Sequence, residues 1–160
     1  MASLINVSVS TKEPTSSNSI AAATSRMQRK SLQESLLLIQ EAAQAAISFN
    51  SKTRRLMRSI RVNVVNDHDG EVYLDESIAP YASFVHDGTG IYGDRHKPFA
   101  ITPKKGARIA WQGKNGKMFA SKVMNPGQQG NPFLYDSAEK TIEDIENIYS
   151  KAIDNLLREV

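Results

Sequence analysis

Residues 88–93 read GTGIYG, which satisfies G-x-G-x-x-G. In a dinucleotide-binding fold that string turns the chain out of a strand, and N–H groups at the start of the next helix hold pyrophosphate. The chemistry needs a buried strand before the glycines, a helix after them, and an acidic residue about 20 positions on to hold a ribose hydroxyl. The other reactive candidates are the three histidines, His68, His86 and His96. His86 and His96, with Asp87 and Asp94, have the donor types of a metal site or an acid–base pair. No helical or hairpin spacing compels these residues to meet. The carboxylates at 67–76 lie on and around a hairpin turn, where solvated charge is the ordinary reading. The chain has no cysteine and no G-x-S-x-G, which removes thiolate ligands, disulfides and the two commonest covalent nucleophile signatures.

The elements around GTGIYG decide its meaning. IAPYASFVHDG precedes it and reads as a short helix, with Pro80 in its first turn and Gly88 as its stop. DRHKPFAITP comes next, and Pro98 points to a loop and strand. The 95–122 segment holds no acidic residue. The string therefore fails the cofactor test, and neither cofactor nor metal is expected. Its glycines instead allow a left-handed turn and a long surface excursion.

Elsewhere the pattern is that of one domain with a real hydrophobic core. Leu32, Leu36, Ile39, Ala43 and Ala46 recur at three and four residues, predicting a helix from Ser25 to about Ser48. Phe49-Asn50-Ser51 reads as a break, and 52–60 as a second, short helix. RVNVVND and EVYLDES alternate about Asp67-His68-Asp69-Gly70, which predicts a β-hairpin. Eight of the nine glycines fall between 88 and 130. In that span HKPFAITP, ARIAWQG and KMFASKVM read as strands, with an Asn-Gly turn in KNGK. From Pro132 or Phe133 a long helix is expected nearly to the end. Ala138, Ile142, Ile145, Tyr149, Ala152 and Leu156 form its stripe. Residues 1–25 show no sustained period and read as an extended arm, although Leu4, Ile5, Val7 and Val9 alternate weakly like a strand. The expected organisation is thus an arm, 1–25, and a single α+β domain, 26–160. A mostly antiparallel sheet packs against a long N-terminal helix and a long C-terminal helix, with an extended β-hairpin excursion.

Net charge is only +3, but its sign alternates along the chain. Residues 26–62 carry eight Lys/Arg and two Glu, 63–94 seven acids and no Lys/Arg, 95–122 eight Lys/Arg and no acid, and 136–160 seven acids and three bases. Such blocks either neutralise one another within the fold or give its faces opposite sign, which suits head-to-tail association or a surface near DNA. Trp111 lies between Arg108 and Lys114, with Phe99 and Phe119 in the same basic span. That mixture can stack on bases, but strand alternation alone also segregates aromatics from lysines. No apolar run approaches the roughly 20 residues of a membrane helix. The N-terminal residues lack the charged start and apolar centre of a secretion signal.

Two stretches resemble one family. YASFVHDGTG is similar to the Y-A-x-x-V-x-x-G-T segment of the tail-completion, or neck, proteins that connect head and tail in long-tailed double-stranded DNA bacteriophages. NPGQQGNPFLYDSAEK is similar to that family's h-P-G-x-x-x-x-P-F-L-x-x-A segment, which opens the C-terminal helix. TRRLMRSI is a weaker match to T-G-x-L-x-x-S-I. Here Arg54 stands where relatives have glycine, and Asn125 where His is common. The resemblance covers roughly 27–158.

It implies a structural virion protein of the neck without catalysis. Its subunits would assemble in the host cytoplasm into a ring, expected to be a hexamer. The ring would complete the tail and join it to the DNA-filled head. The implied partners are other copies of the chain, the head-closure or connector protein, the tail-terminator or tail-tube protein, and genomic DNA passing without sequence specificity; no membrane is involved. Tyr81, Phe84 and Val85 would anchor the short helix, and Gly88 and Thr89 would end it. Pro126 and Gly127 would turn the chain, and Pro132, Phe133 and Leu134 would seed the last helix. Lys104, Lys105, Arg108, Lys114 and Lys117 would face the lumen DNA or a neighbour. Two rivals make distinct forecasts. A basic nucleic-acid-binding protein gripping DNA with the 95–122 hairpin predicts salt-sensitive binding. A small hydrolase using His86 or His96 predicts stabilisation by metal or substrate analogues.

Overall fold

The computed structural model describes residues 6–10, 18–47, 54–104, 106–114 and 116–159. The expected break at Phe49-Asn50-Ser51, residues 1–5 and 11–17 of the expected arm, Lys105 and Asn115 lie outside them. The chain divides into two compact units, one of residues 1–83 with 132–160 and one of residues 84–131. The fold is α+β, with antiparallel sheets and long helices near both ends of the chain.

In the first unit a three-stranded sheet is built from β1 (Asn6–Ser10), β2 (Ile60–Val64) and β3 (Asp69–Leu74), in the order β1-β3-β2 with β3 central and every pair antiparallel. Strand alternation decides its faces. Val72 and Leu74 are buried, whereas Glu71 lies on the opposite face. Asn6 and Asn63, on the two flanking strands, both donate to the Glu71 carboxylate at 3.0 Å. The turn between β2 and β3 comes earlier than expected. Asn66 Oδ1 accepts the N–H groups of His68 and Asp69, and Asp69 and Gly70 already belong to β3. An Asx turn at Asn66 takes precedence over the Asp-Gly pair.

The helix α1 (Asn18–Ile47) presents Leu32, Leu36, Ile39, Ala43 and Ile47 as one buried stripe. It packs on β2, β3 and the C-terminal helices. It begins seven residues before the expected start at Ser25, because Ile20-Ala21-Ala22-Ala23 are themselves able to sustain helix. Residues 6–10 form a strand paired to β3, as their weak alternation suggested, whereas 18–25 are helical, which corrects the extended-arm reading there. Side chains of α1 also hold the α2 and β2 segments in place. Gln40 donates to the Ile60 carbonyl at 2.7 Å and Gln44 to the Met57 carbonyl at 3.2 Å. The latter carbonyl belongs to α2 (Arg55–Ser59), a helix of one turn that buries Leu56 and Ser59.

The single C-terminal helix expected from the sequence is two, α4 (Phe133–Lys140) and α5 (Ile142–Glu159). Thr141 separates them. Its hydroxyl donates to the Ser137 and Ala138 carbonyls at 3.0 and 3.1 Å, and such back-bonding by a β-branched residue bends a helix. Phe133 and Leu134 are buried, and α4 packs on α1.

The second unit opens within α3 (Ala82–Asp87), the short helix expected after Pro80. It continues as two antiparallel ribbons. Strand β4 (Phe99–Ile101) pairs with β7 (Val123–Asn125), and nested between them β5 (Ile109–Gly113) pairs with β6 (Gly116–Ala120). This is the extended hairpin excursion, with its tip at 113–116.

Candidate functional site

GTGIYG leaves the C-terminus of α3 and is followed by turns, not by a helix. Four of its six backbone donors are already used. The N–H of Gly88 bonds the Phe84 carbonyl, that of Thr89 the Gln128 carbonyl at 2.8 Å, that of Ile91 the Pro126 carbonyl at 2.7 Å and that of Tyr92 the Thr89 carbonyl. Amides committed to carbonyls cannot also cradle pyrophosphate.

Those bonds instead lock two distant segments together. Residues 88–93 lie along residues 125–131, with an antiparallel bridge between Gly88 and Gln129. Gln128 N–H donates to the Thr89 hydroxyl at 3.0 Å, and Asn131 N–H to the Val85 carbonyl at 2.9 Å. Glycine makes the approach possible. A Cβ on Gly127 would run into the Thr89 carbonyl oxygen, and one on Gly90 into that of Pro126. Gly127 also has φ +100, a left-handed conformation that side chains resist. Asn125 closes the turn by accepting the Gly127 N–H on its side-chain oxygen at 2.8 Å.

The other sequence candidates divide. Phe133 and Leu134 are buried as expected of them, and Pro132 stands exposed at the N-terminus of α4. Gly88 ends α3 with φ +87. The anchoring role of Tyr81 and Phe84 is corrected. They are 40% and 59% exposed, and Val85 is half-buried. Ala79, Ala82 and His86, spaced three and four apart, are buried in their place. Helical spacing selects that stripe, and its small residues and a histidine carried too little hydropathy to reveal it. Lys104, Arg108, Lys114 and Lys117 are all exposed; Lys105 lies outside the described residues.

The histidines do not converge. His86 Nδ1 lies 2.7 Å from Asp87 Oδ1 on α3. His68 sits in the Asn66 turn, and exposed His96, with φ +47, lies in a loop. No cluster of three or more His, Asp or Glu able to hold a metal is found among the described residues. No helix among them is long and apolar enough to cross a membrane. Among the described residues, two groups have displaced pKa values, both outside 84–131. The Ser77 hydroxyl, donating to Asp75, holds that exposed carboxyl below its usual value of 3.8. Burial pushes the Tyr149 phenol up, with the Ser35 hydroxyl opposing.

What the second unit does present is exposed apolar surface on a basic ribbon. Phe99, Trp111, Met118, Phe119 and Met124 are all exposed. Trp111 and Met118 are directly cross-strand, and Phe119 and Lys117 share the other face. A lone two-stranded ribbon is at best marginally stable, and one with apolar groups on both faces has the makings of a contact surface. Comparison with protein-family models, curated proteins and solved structures found no match to this chain.

Proposed function

We propose that the chain is a structural subunit of a bacteriophage neck, forming a ring that completes the tail and joins it to the DNA-filled head. The observation that carries this reading is the interlock of 88–93 with 125–131. The two stretches that resemble the family are about forty residues apart in sequence, yet they form one backbone-bonded unit. Residues that matched by chance would have no reason to meet. Arg54 adds support. It stands where the family has glycine, and its φ of +54 is the conformation that glycine favours.

On this reading the subunit works by shape. The helix–sheet unit supplies the rigid body, and the 84–131 excursion supplies contact with neighbouring proteins and a basic surface toward passing DNA. Six copies, the neighbouring connector and tail proteins, and location in the virion belong to the same proposal.

The test is genetic and structural. A phage lacking this gene is expected to accumulate filled heads and finished tails that do not join, and the protein supplied in trans is expected to restore joining. Normal infectious particles without the protein would overturn the proposal. A second reading, DNA binding by the 95–122 hairpin, draws on exposed Trp111 and Phe119 beside Lys114 and Lys117. It requires the isolated chain to bind duplex or single strands, with affinity falling steeply as salt rises.

A further inference from the structure

The exposed apolar groups of the two ribbons, from Phe99 to Met124, lie in a span with no acidic residue. The helix α5 offers a counterpart of opposite sign. At 3.6 residues per turn, Ile142, Glu146, Ile153 and Leu157 share one stripe, with Glu143 beside it and Asp154 farther round, one turn before Arg158. All six are exposed, Leu157 at 71%. Lys151 and Arg158 point to another side of the helix. The face is therefore apolar and acidic with no base on it, and the half-buried stripe of Ile145, Tyr149, Ala152 and Leu156 runs separately.

We propose that the β5–β6 ribbon of one copy docks on this α5 face of a second copy. Phe119 would cover Ile153 and Leu157, while Lys117, on the same face of the ribbon, would meet Glu143 and Glu146. The choice of a second copy rests on charge complementarity. The ribbon's span holds no acid and the Ile142–Leu157 stripe no base, and each carries apolar groups that the other would bury. DNA complements the ribbon alone and leaves the α5 stripe bare. Because the two surfaces differ, the contact is heterologous, and every copy keeps one free ribbon and one free helix until a ring closes. The pairing rests on the ring reading and specifies which surfaces mate.

The chain has no cysteine, so introduced thiols are the only ones present. Lys114→Cys, at the ribbon tip, and Asp154→Cys, on the helix, replace exposed residues. The two variants, one carrying a size tag, are mixed and treated with a short bismaleimide. Mixed dimers are expected in excess of self-dimers of either variant. Replacing Lys117 by Glu is expected to reduce them to the self-dimer background, and Glu146→Lys in the helix partner is expected to restore them. Mixed dimers no more abundant than self-dimers would overturn the pairing, as would cross-links confined within one chain when both cysteines are on it. A fluorescent duplex that abolishes the mixed dimer, bound equally well by Leu157→Asp, would also overturn it and assign the ribbon to nucleic acid. Light scattering of the unmodified chain separates the two levels. Concentration-dependent mass without mixed dimers defeats the pairing alone. A chain that stays monomeric and is dispensable for infectious particles defeats the ring reading as well.

Discussion

The two units of this chain are held together by different forces. Among the described residues, every buried apolar side chain belongs to 1–83 or 132–160, from Leu32 to Leu134; none belongs to 84–131. The first unit hides a helical stripe and a sheet face from water, each large side chain contributing about 1.5–3 kcal/mol. The second is organised by backbone hydrogen bonds between 88–93 and 125–131 and by glycines that let main chains touch. It leaves its aromatics and methionines outside. A core of the first kind stabilises a subunit in isolation. A framework of the second kind fixes the path of the chain cheaply, and further stabilisation has to come from whatever covers the ribbon.

The largest expected effect tests the first half of that contrast. Phe133→Ala empties a fully buried site where α4 meets α1 and is expected to cost about 3–5 kcal/mol, lowering Tm by roughly 2–4 °C for each kcal/mol. Thermal unfolding with wild-type Tm would mean that the core does not depend on this residue. The next effect tests the second half. Gly127→Ala forces a side chain into a left-handed position and against the Thr89 carbonyl, a strain of about 1–3 kcal/mol. Its consequence is expected to be local. Amide exchange in 88–93 and 125–131 accelerates, while protection of the buried α1 amides is retained. Equal loss of protection in α1 would show that the two units unfold as one and would break the comparison.

Arg54→Gly sharpens the contrast from the other side, because here the first unit carries the strain. An L-residue in the left-handed region costs about 1–2 kcal/mol, and the greater freedom of glycine in the unfolded chain returns about 0.4–1 kcal/mol of that. A net gain on the order of 0.5–1 kcal/mol is expected, read as a rightward shift of the denaturation midpoint with unchanged slope. A midpoint moving to lower denaturant would mean that the Arg54 side chain contributes more than its backbone costs.

The same division decides how far the sequence revealed this molecule. The helix stripe through Leu32, Leu36 and Ile39, the β2–β3 hairpin and the burial of Phe133 and Leu134 were legible, because apolar burial writes its period into the chain. Thr141 was not legible as a helix break, since threonine is an acceptable helix residue unless its hydroxyl bonds backward. Nor was the buried face of α3. Tyr81 and Phe84 are the bulky aromatic residues there, but the helical turn puts Ala82 and His86 inside. The interlock of 88–93 with 125–131 is long-range backbone pairing, for which glycines signal only that something unusual happens. The joining of β1 to β3 left its trace in the weak alternation of Val7 and Val9, too short to outweigh the Ser- and Thr-rich residues around it.

The smallest effect on stability belongs to the ribbon tip, and there the comparison becomes a statement about function. Gly113 and Gly116 pair at the end of β5 and β6, and nothing apolar is buried near them. Deleting 113–117 removes Lys114 and Lys117 but no core contact, so the unfolding free energy is expected to change by no more than about 0.5 kcal/mol, as for an ordinary surface change. Assembly is expected to suffer all the same. On the proposed neck reading, a phage carrying the deletion is expected to produce a folded subunit at normal abundance yet fail to join heads to tails. That pairing of outcomes separates a contact device from a structural element. A deletion that restored full phage yield would remove the tip from the interface, and one that unfolded the subunit would show that the ribbon stabilises the rest of the chain.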